Sequence, residues 1–167
     1  MTTTIRKATP DDAELLQELI LELAAYERLL DEAEPDIPLL REHLSEEALT
    51  GCEALIAETE SGTAVGFALF YHTYSTFLTN AGLYVEDLYV KTTYRGEGIG
   101  RALLARLAEL AEERGCRRME WAVLDWNTEA IEFYDEMGAE PLDDWTLMRL
   151  DEEAIEEVAA LAGEGVA

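Results

Sequence analysis

The chain has 167 residues, with 37 acidic side chains against 12 basic ones and a net charge of −25, a balance that turns nucleic-acid phosphates away. That length bounds one domain, taken as residues 1–167, with enough chain to bury most of its apolar surface. No window reaches ~18 uncharged apolar residues, Met1 to Lys7 lacks an apolar signal core, and Cys52, Cys116, His43 and His72 match neither a disulfide framework nor a metal-ligand spacing, so the chain is read as cytoplasmic, with no membrane partner and no metal.

In chain order, Thr3 to Ala8 reads as a first strand. Thr9-Pro10-Asp11-Asp12 then supplies a cap and a first-turn proline for a helix to about Leu30, with Leu15, Leu16, Leu19, Leu23 and Tyr26 on its buried side. A shorter helix follows, from about Pro38 to Leu49. Glu53 to Glu60 and Ala64 to Tyr74 form a hairpin around Ser61-Gly62, and Asn80-Ala81-Gly82 turns into a strand from Leu83 to Val90. A glycine-rich loop opens an amphipathic helix over Ile99 to Ala111. Arg118 to Leu124 is the next strand, a helix runs from Asn127 to about Met137 and closes on Gly138, and Trp145 to Leu150 is a last strand before an acidic helix, Asp151 to Leu161. Hairpins followed by crossover connections give an α/β chain: a mixed sheet flanked by helices, with ligands expected at the C-terminal strand edges.

The loop at that edge is Tyr94-Arg95-Gly96-Glu97-Gly98-Ile99-Gly100-Arg101. Alternate glycines strip side chains from the turn, so backbone N–H groups can close around an anion, and the helix adds its unpaired N–H groups and positive dipole end. Arg101 stands where a dinucleotide-binding GxGxxG needs its third glycine, and no Gly-Lys pair completes a P-loop. A phosphorylated ligand of another kind remains. Lys91, Arg95, Arg101 and Arg106 cluster around the loop in a chain otherwise poor in bases, which would offset the repulsion a phosphate meets here.

Glu86 and Asp87 interrupt an otherwise apolar strand. Adjacent side chains point to opposite faces, so a regular central strand cannot leave both in water. Either the pair serves a site, or the strand bulges and both acids bind nearby arginine. On the later helix, Asn127, Ile131 and Tyr134 share a face, so Tyr134 points to the interior or to a cleft, where its hydroxyl needs a partner. Asn127 also fits an ordinary helix cap.

Together, Leu23-Ala24-Ala25-Tyr26-Glu27, Val65-Gly66-Phe67-Ala68, Leu83 to Val90, Tyr94 to Gly100, Asp125-Trp126-Asn127, Ala130 to Tyr134 and Gly138-Ala139 resemble the diamine acetyltransferase branch of the GNAT N-acetyltransferases. That branch holds the spermidine/spermine and thialysine enzymes, and the likeness spans most of the chain from Ile5 to Leu150. It implies the acyl-CoA N-acyltransferase fold and direct acetyl transfer from acetyl-CoA to a primary amine of a small molecule. By the same resemblance Leu88, Tyr89 and Val90 line the cofactor, Leu88 and Val90 through backbone groups. Arg95, Gly96, Glu97, Gly98, Ile99, Gly100 and Arg101 hold its pyrophosphate, and Asn127 contacts it. Tyr134 protonates the departing thiolate. Glu86 binds the amine and helps remove its proton, while Tyr26, Glu27, Asp87 and Trp145 line the amine pocket. A homodimer is implied as well.

The acceptor stays open among a diamine, a polyamine and a thialysine-like amino acid, because Glu120-Trp121-Ala122 departs from the polyamine enzymes. A protein N-terminus or lysine as acceptor, and a non-catalytic acyl-CoA sensor, are the other readings. No cysteine or serine stands with a histidine at the site, which argues against an acyl-enzyme. The acids spread over every helix, which fits a surface adapted to concentrated salt better than a local field that gathers cationic amines.

Overall fold

The computed structural model describes residues 2–45 and 47–163. Five strands form one sheet in chain order: β1 (Thr3–Lys7), β2 (Glu53–Thr59), β3 (Ala64–Ser75), β4 (Asn80–Val90) and β5 (Met119–Trp121). The first four pair antiparallel, and β5 joins β4 in parallel. The parallel step needs a crossover, supplied by α3 (Ile99–Glu113). This is the mixed, mostly antiparallel sheet expected from the sequence.

Helices α1 (Ala13–Glu27) and α2 (Ile37–His43) serve one side of the sheet. Leu16, Leu19 and Leu23 of α1 pack with Ala54, Ile56, Phe67 and Leu69. The other side takes α3, whose Ile99, Leu103, Leu107 and Ala111 recur every fourth residue and meet Leu55, Val65, Phe70, Leu83 and Val85. Each such leucine, fully buried, contributes roughly 1.5–3 kcal/mol. Arg6 of β1 ties the first connection down: it donates to Asp12 (2.7 and 2.9 Å) and to Glu58 (2.8 and 3.0 Å).

Helix α1 starts and stops inside the expected range. A 3-10 turn, Pro10–Asp12, precedes it, and Arg28 ends it in the left-handed region (φ 64°). The second helix is shorter than Pro38 to Leu49: it closes at His43, and Glu46 lies outside the described residues. The turn before β4 sits earlier than Asn80-Ala81-Gly82, with Thr79 at φ 49° and the strand already running at Asn80.

By contact density the chain divides into two units, Met1–Ala122 and Val123–Ala167. In the second, α4 (Thr128–Glu136) closes through Gly138 (φ 86°), whose N–H donates to Asp135 O (2.9 Å) while Ala139 N–H donates to Tyr134 O (3.0 Å). Helix α5 (Glu152–Ala160) is capped by Asp151, which accepts from Ala154 N–H (2.9 Å). Two expected strands are corrected. Arg118 to Leu124 is ordered as a strand only over Met119–Trp121, and Trp145 to Leu150 is not a strand among the described residues. A strand exists only by pairing, and no partner in the sheet takes residues 145–150.

Candidate active site

Strand β4 carries the candidate residues Glu86 to Val90, and a bulge sets how they are presented. Phe70 pairs with Val85 and Leu69 with Asp87, so Glu86 is an extra residue with no partner across the ladder. The extra residue shifts parity. Leu83 and Val85 face the α3 side, and after the bulge Leu88 and Val90 face the same side, while Tyr89 faces α1. Both acids are thereby accommodated in one strand, with Glu86 exposed and Asp87 half-buried. No arginine sets the state of Asp87: burial, then Glu86, then Glu27 push its pKa up to about 7.

The ladder to β5 ends at the Val85–Trp121 pair, Val85 being the residue before the bulge. Beyond it, Lys91 N–H donates to Val65 O (2.9 Å) on the β3 side. Alternation therefore turns the backbone groups of Leu88 and Val90 the other way, along the edge that β5 leaves. A ligand with amide groups fits such an edge as a strand would.

The glycine loop follows through a 3-10 turn, Thr92–Tyr94. Gly96 (φ 80°) and Gly98 (φ 82°) both adopt the left-handed region, which explains two of its glycines. Gly98 is the cap residue of α3, so no side chain there covers the first N–H groups of the helix. Glu97 and Arg101 are exposed, and Ile99 is core. Arg95 does something the sequence did not announce: its Nε donates to Val90 O (3.1 Å), and its guanidinium lies 4.1 Å over the Tyr26 ring. The end of β4, the loop and α1 are joined through this one side chain. The expected basic cluster is partly tied up elsewhere. Lys91 donates to Glu22 (2.9 Å), which also accepts from the Tyr89 hydroxyl (3.4 Å), and Arg106 pairs with Glu109 (3.0 Å) and Glu113 (3.3 Å).

Around the bulge, Glu27 and Tyr26 come from the end of α1, and burial holds the Glu27 pKa up. The Cys52 thiol is raised to about 11, first by burial and then by Asp87, Glu53 and Glu86. It is not a ready nucleophile. Tyr71 and Tyr84, with ring centroids 5.3 Å apart, stand beside Glu86; burial first and then Glu86 raise both hydroxyls. These two were missed from sequence. The hairpin register pairs them, and the misplaced turn at Asn80 hid that register.

In the second unit, Asn127 caps α4, its Oδ1 accepting from Ala130 N–H (3.3 Å). Tyr134 is half-buried, with its ring 5.1 Å from that of Phe133. Trp145 is 76% exposed. Among the described residues no group of three or more His, Cys, Asp or Glu is placed to hold a metal, and no helix is long and apolar enough to cross a membrane.

Comparison with known proteins decides what this geometry belongs to. The family model described as Acetyltransferase (GNAT) family matches residues 16–139. The chain belongs to the GNAT acetyltransferase family. This GNAT protein is 38% identical to the thialysine N-epsilon-acetyltransferase of Sus scrofa over 93% of its own length and 96% of the relative's. It is 29% identical to the L-ornithine N5-acetyltransferase of Arabidopsis thaliana, covering 96% of this chain and 90% of that one. Among solved structures, an integron cassette protein from the mobile metagenome of V. cholerae superimposes with a TM-score of 0.78 at 26% identity, over 95% of this chain and 98% of that one. The GNAT chain is therefore an acetyl-CoA-dependent N-acetyltransferase of the thialysine and diamine branch. Among the described residues β4 has no β5 partner beyond Val85, and Gly96, Gly98 and the start of α3 present backbone N–H groups, a chemistry that suits a ligand carrying amides and a diphosphate.

Proposed function

We propose that this GNAT enzyme moves an acetyl group from acetyl-CoA directly to the primary amine of a small molecule: a diamine, a polyamine or a thialysine-like amino acid. One observation carries the acceptor class. Three carboxylates, Glu27, Glu86 and Asp87, gather along β4, where burial first and then the charges of Glu86 and Glu27 raise Asp87. A cation relieves that repulsion. Similarity to enzymes named for thialysine and ornithine supports the same class.

In this reading the residues keep the roles their likeness gives them. Leu88 and Val90 bind the cofactor's arm through the backbone, with Tyr89 behind them. Arg95, Gly96, Glu97, Gly98, Ile99, Gly100 and Arg101 form the pyrophosphate loop, and Asn127 adds a further contact. Acetyl-CoA, when bound, supplies an activated thioester carbonyl. The chain's own work is with protons. An alkyl ammonium has a pKa near ~10, so about one part in a thousand is neutral at pH 7 and a carboxylate must take its proton. Glu86 receives the ammonium, with Tyr26, Glu27, Asp87 and Trp145 around it, and the Tyr134 hydroxyl gives a proton to the leaving thiolate.

The span 1–167 works as one domain in this reading, which the match across residues 16–139 supports because it crosses the division at Ala122. The enzyme acts in the cytoplasm as a homodimer; the exposed apolar side chains of Trp145, Leu147 and Met148 favour association. Nucleic acid and membrane are not its partners, as the net charge of −25 supports. Thiol release from acetyl-CoA across a panel of diamines, polyamines, basic amino acids and peptides tests the acceptor. Turnover confined to peptides would make the acceptor a protein amine, and acetyl-CoA binding without turnover on any amine would make the chain a sensor.

A further inference from the structure

We infer that Tyr26 and Arg95 link the two substrate sites: the Arg95 guanidinium, seated on the Tyr26 ring, orders the cofactor loop and the amine wall together, so that each substrate tightens the binding of the other. This link rests on the small-amine reading above and deepens it.

Two cations four residues apart in the chain, Lys91 and Arg95, meet two partners four residues apart on α1, Glu22 and Tyr26. Helix residues at that spacing lie one above the other, so α1 is clasped twice along one stripe. The clasp has a firm side and a yielding side. The firm side is the end of β4: Lys91 N–H donates to Val65 O (2.9 Å), and a Cβ on Gly66 would stand 2.7 Å from Tyr89 O, so β3 is packed hard against it. The yielding side is the last turn of α1, which closes at Glu27 with Arg28 in the left-handed region; a helix end gives way more readily than a paired strand. Both residues that close α1 reach toward β4. Tyr26 lies under Arg95, and the charge of Glu27 is felt at Asp87.

Arg95 belongs to both sites. Its main chain opens the loop just before Gly96, while its side chain leaves the loop, Nε donating to Val90 O (3.1 Å) and the guanidinium lying 4.1 Å over the Tyr26 ring. A diphosphate held on the loop N–H groups fixes the backbone that carries Arg95, and through the guanidinium it restrains the Tyr26 ring. The amine then meets a wall that is already ordered and loses less entropy in binding to it. Linkage makes the effect reciprocal, so the amine favours the cofactor by the same factor. The hydrogen bond to Val90 O sets the sign, because it keeps the guanidinium at β4 instead of letting it follow the diphosphate off the ring. A cation on an aromatic face changes an equilibrium constant by about 2- to 30-fold, which bounds the coupling.

Isothermal titration tests the link with coenzyme A, which carries the same diphosphate and no acetyl group to transfer, and with an amine that the wild type acetylates. In the wild type the amine should bind at least about threefold more tightly when coenzyme A is saturating, and coenzyme A should gain the same factor from the amine. Tyr26→Leu removes wall contacts in both conditions, so the ratio isolates the link, and it should fall to about one. Arg95→Met, which leaves α1 unaltered, should bring the ratio to about one as well. Tyr26→Phe keeps the ring face and should keep the coupling. Without amine, Tyr26→Leu should weaken coenzyme A about twofold or more, yet add nothing in an Arg95→Met background. A wild-type ratio of one or below, a ratio that survives Tyr26→Leu or is lost in Tyr26→Phe, or additive losses from Tyr26→Leu and Arg95→Met overturns the link and leaves the small-amine reading standing. A wild type that binds acetyl-CoA yet acetylates no amine overturns that reading and the link with it.

Discussion

A half-buried aspartate that ionises only near pH 7 costs the fold stability when it does. The folded pKa of Asp87, about 7, lies above its ordinary value of 3.8. The folded state thus holds the proton through a window where the unfolded chain releases it, and stability falls as pH rises from about 4 to about 7, then levels off. The rise bounds the cost at about 4 kcal/mol. Asp87→Asn should therefore stabilise the enzyme at pH 8 by up to a few kcal/mol in urea unfolding and make little difference at pH 4. Glu53 has the opposite sign. Arg114 and Lys7 hold it down to about 2, so its contribution is present above about 4.5 and fades as pH falls toward 2. In Glu53→Gln the stability deficit should be visible at pH 7 and shrink at pH 3. Tyr134 calls for kinetics instead of unfolding. Tyr134→Phe keeps the ring and removes only the hydroxyl, so turnover should drop at least about tenfold while acetyl-CoA affinity by calorimetry stays nearly unchanged. An unaltered rate would remove Tyr134 as the acid.

At the scale of elements, what the sequence showed depended on whether a pattern was local. The four-residue recurrence from Ile99 to Ala111 is carried by one helix and reads directly. The bulge in β4 was also written in the chain: Leu83 and Val85 are odd, Leu88 and Val90 are even, and two acids stand where the phase slips. From the sequence alone the bulge is one of two alternatives, because what decides it is the register with β3. The expected strand Trp145 to Leu150 failed for a related reason, since alternation supplies a face but pairing supplies the strand. Gly98 lies at the other extreme: the alternate glycines mark the turn from sequence, and the left-handed angle at Gly98 gives a reason for one of them. Nothing crowds the space a Cβ would fill there, so a side chain costs only the strain of φ 82°, of order 1–3 kcal/mol. The β-branched Gly98→Val should relieve that strain by tilting the first turn of α3, and its N–H groups with it. Acetyl-CoA affinity should fall at least tenfold by calorimetry, with the rest of the fold intact by circular dichroism. An unchanged affinity would take the loop out of the cofactor site.

For the molecule as a whole, 37 acids against 12 bases set a field that every anion must cross. From sequence, Lys91, Arg95, Arg101 and Arg106 offset it at the glycine loop. Lys91 is paired with Glu22, and Arg106 with Glu109 and Glu113. Local compensation is thus weaker than linear proximity suggested, since a charge count along the chain cannot show which partner a side chain chooses. This has a sign that experiment can read. Phosphate-binding proteins usually lose affinity as salt rises, because their own cations are screened. Here the term being screened is repulsion between the acidic surface and a highly negative cosubstrate. Between about 0.01 M and about 1 M salt the Debye length shrinks from ~30 Å to ~3 Å, which silences the distant acids and leaves the backbone N–H groups of the loop in contact. Acetyl-CoA should bind more tightly at the high end of that range, and the melting temperature should rise alongside as the acids stop repelling one another. Isothermal titration in potassium chloride checks the first and differential scanning calorimetry the second. Affinity that falls steadily with salt would mean that Arg95 and Arg101 dominate the field at the loop, and that the acidic surface has no part in adaptation to a concentrated cytoplasm.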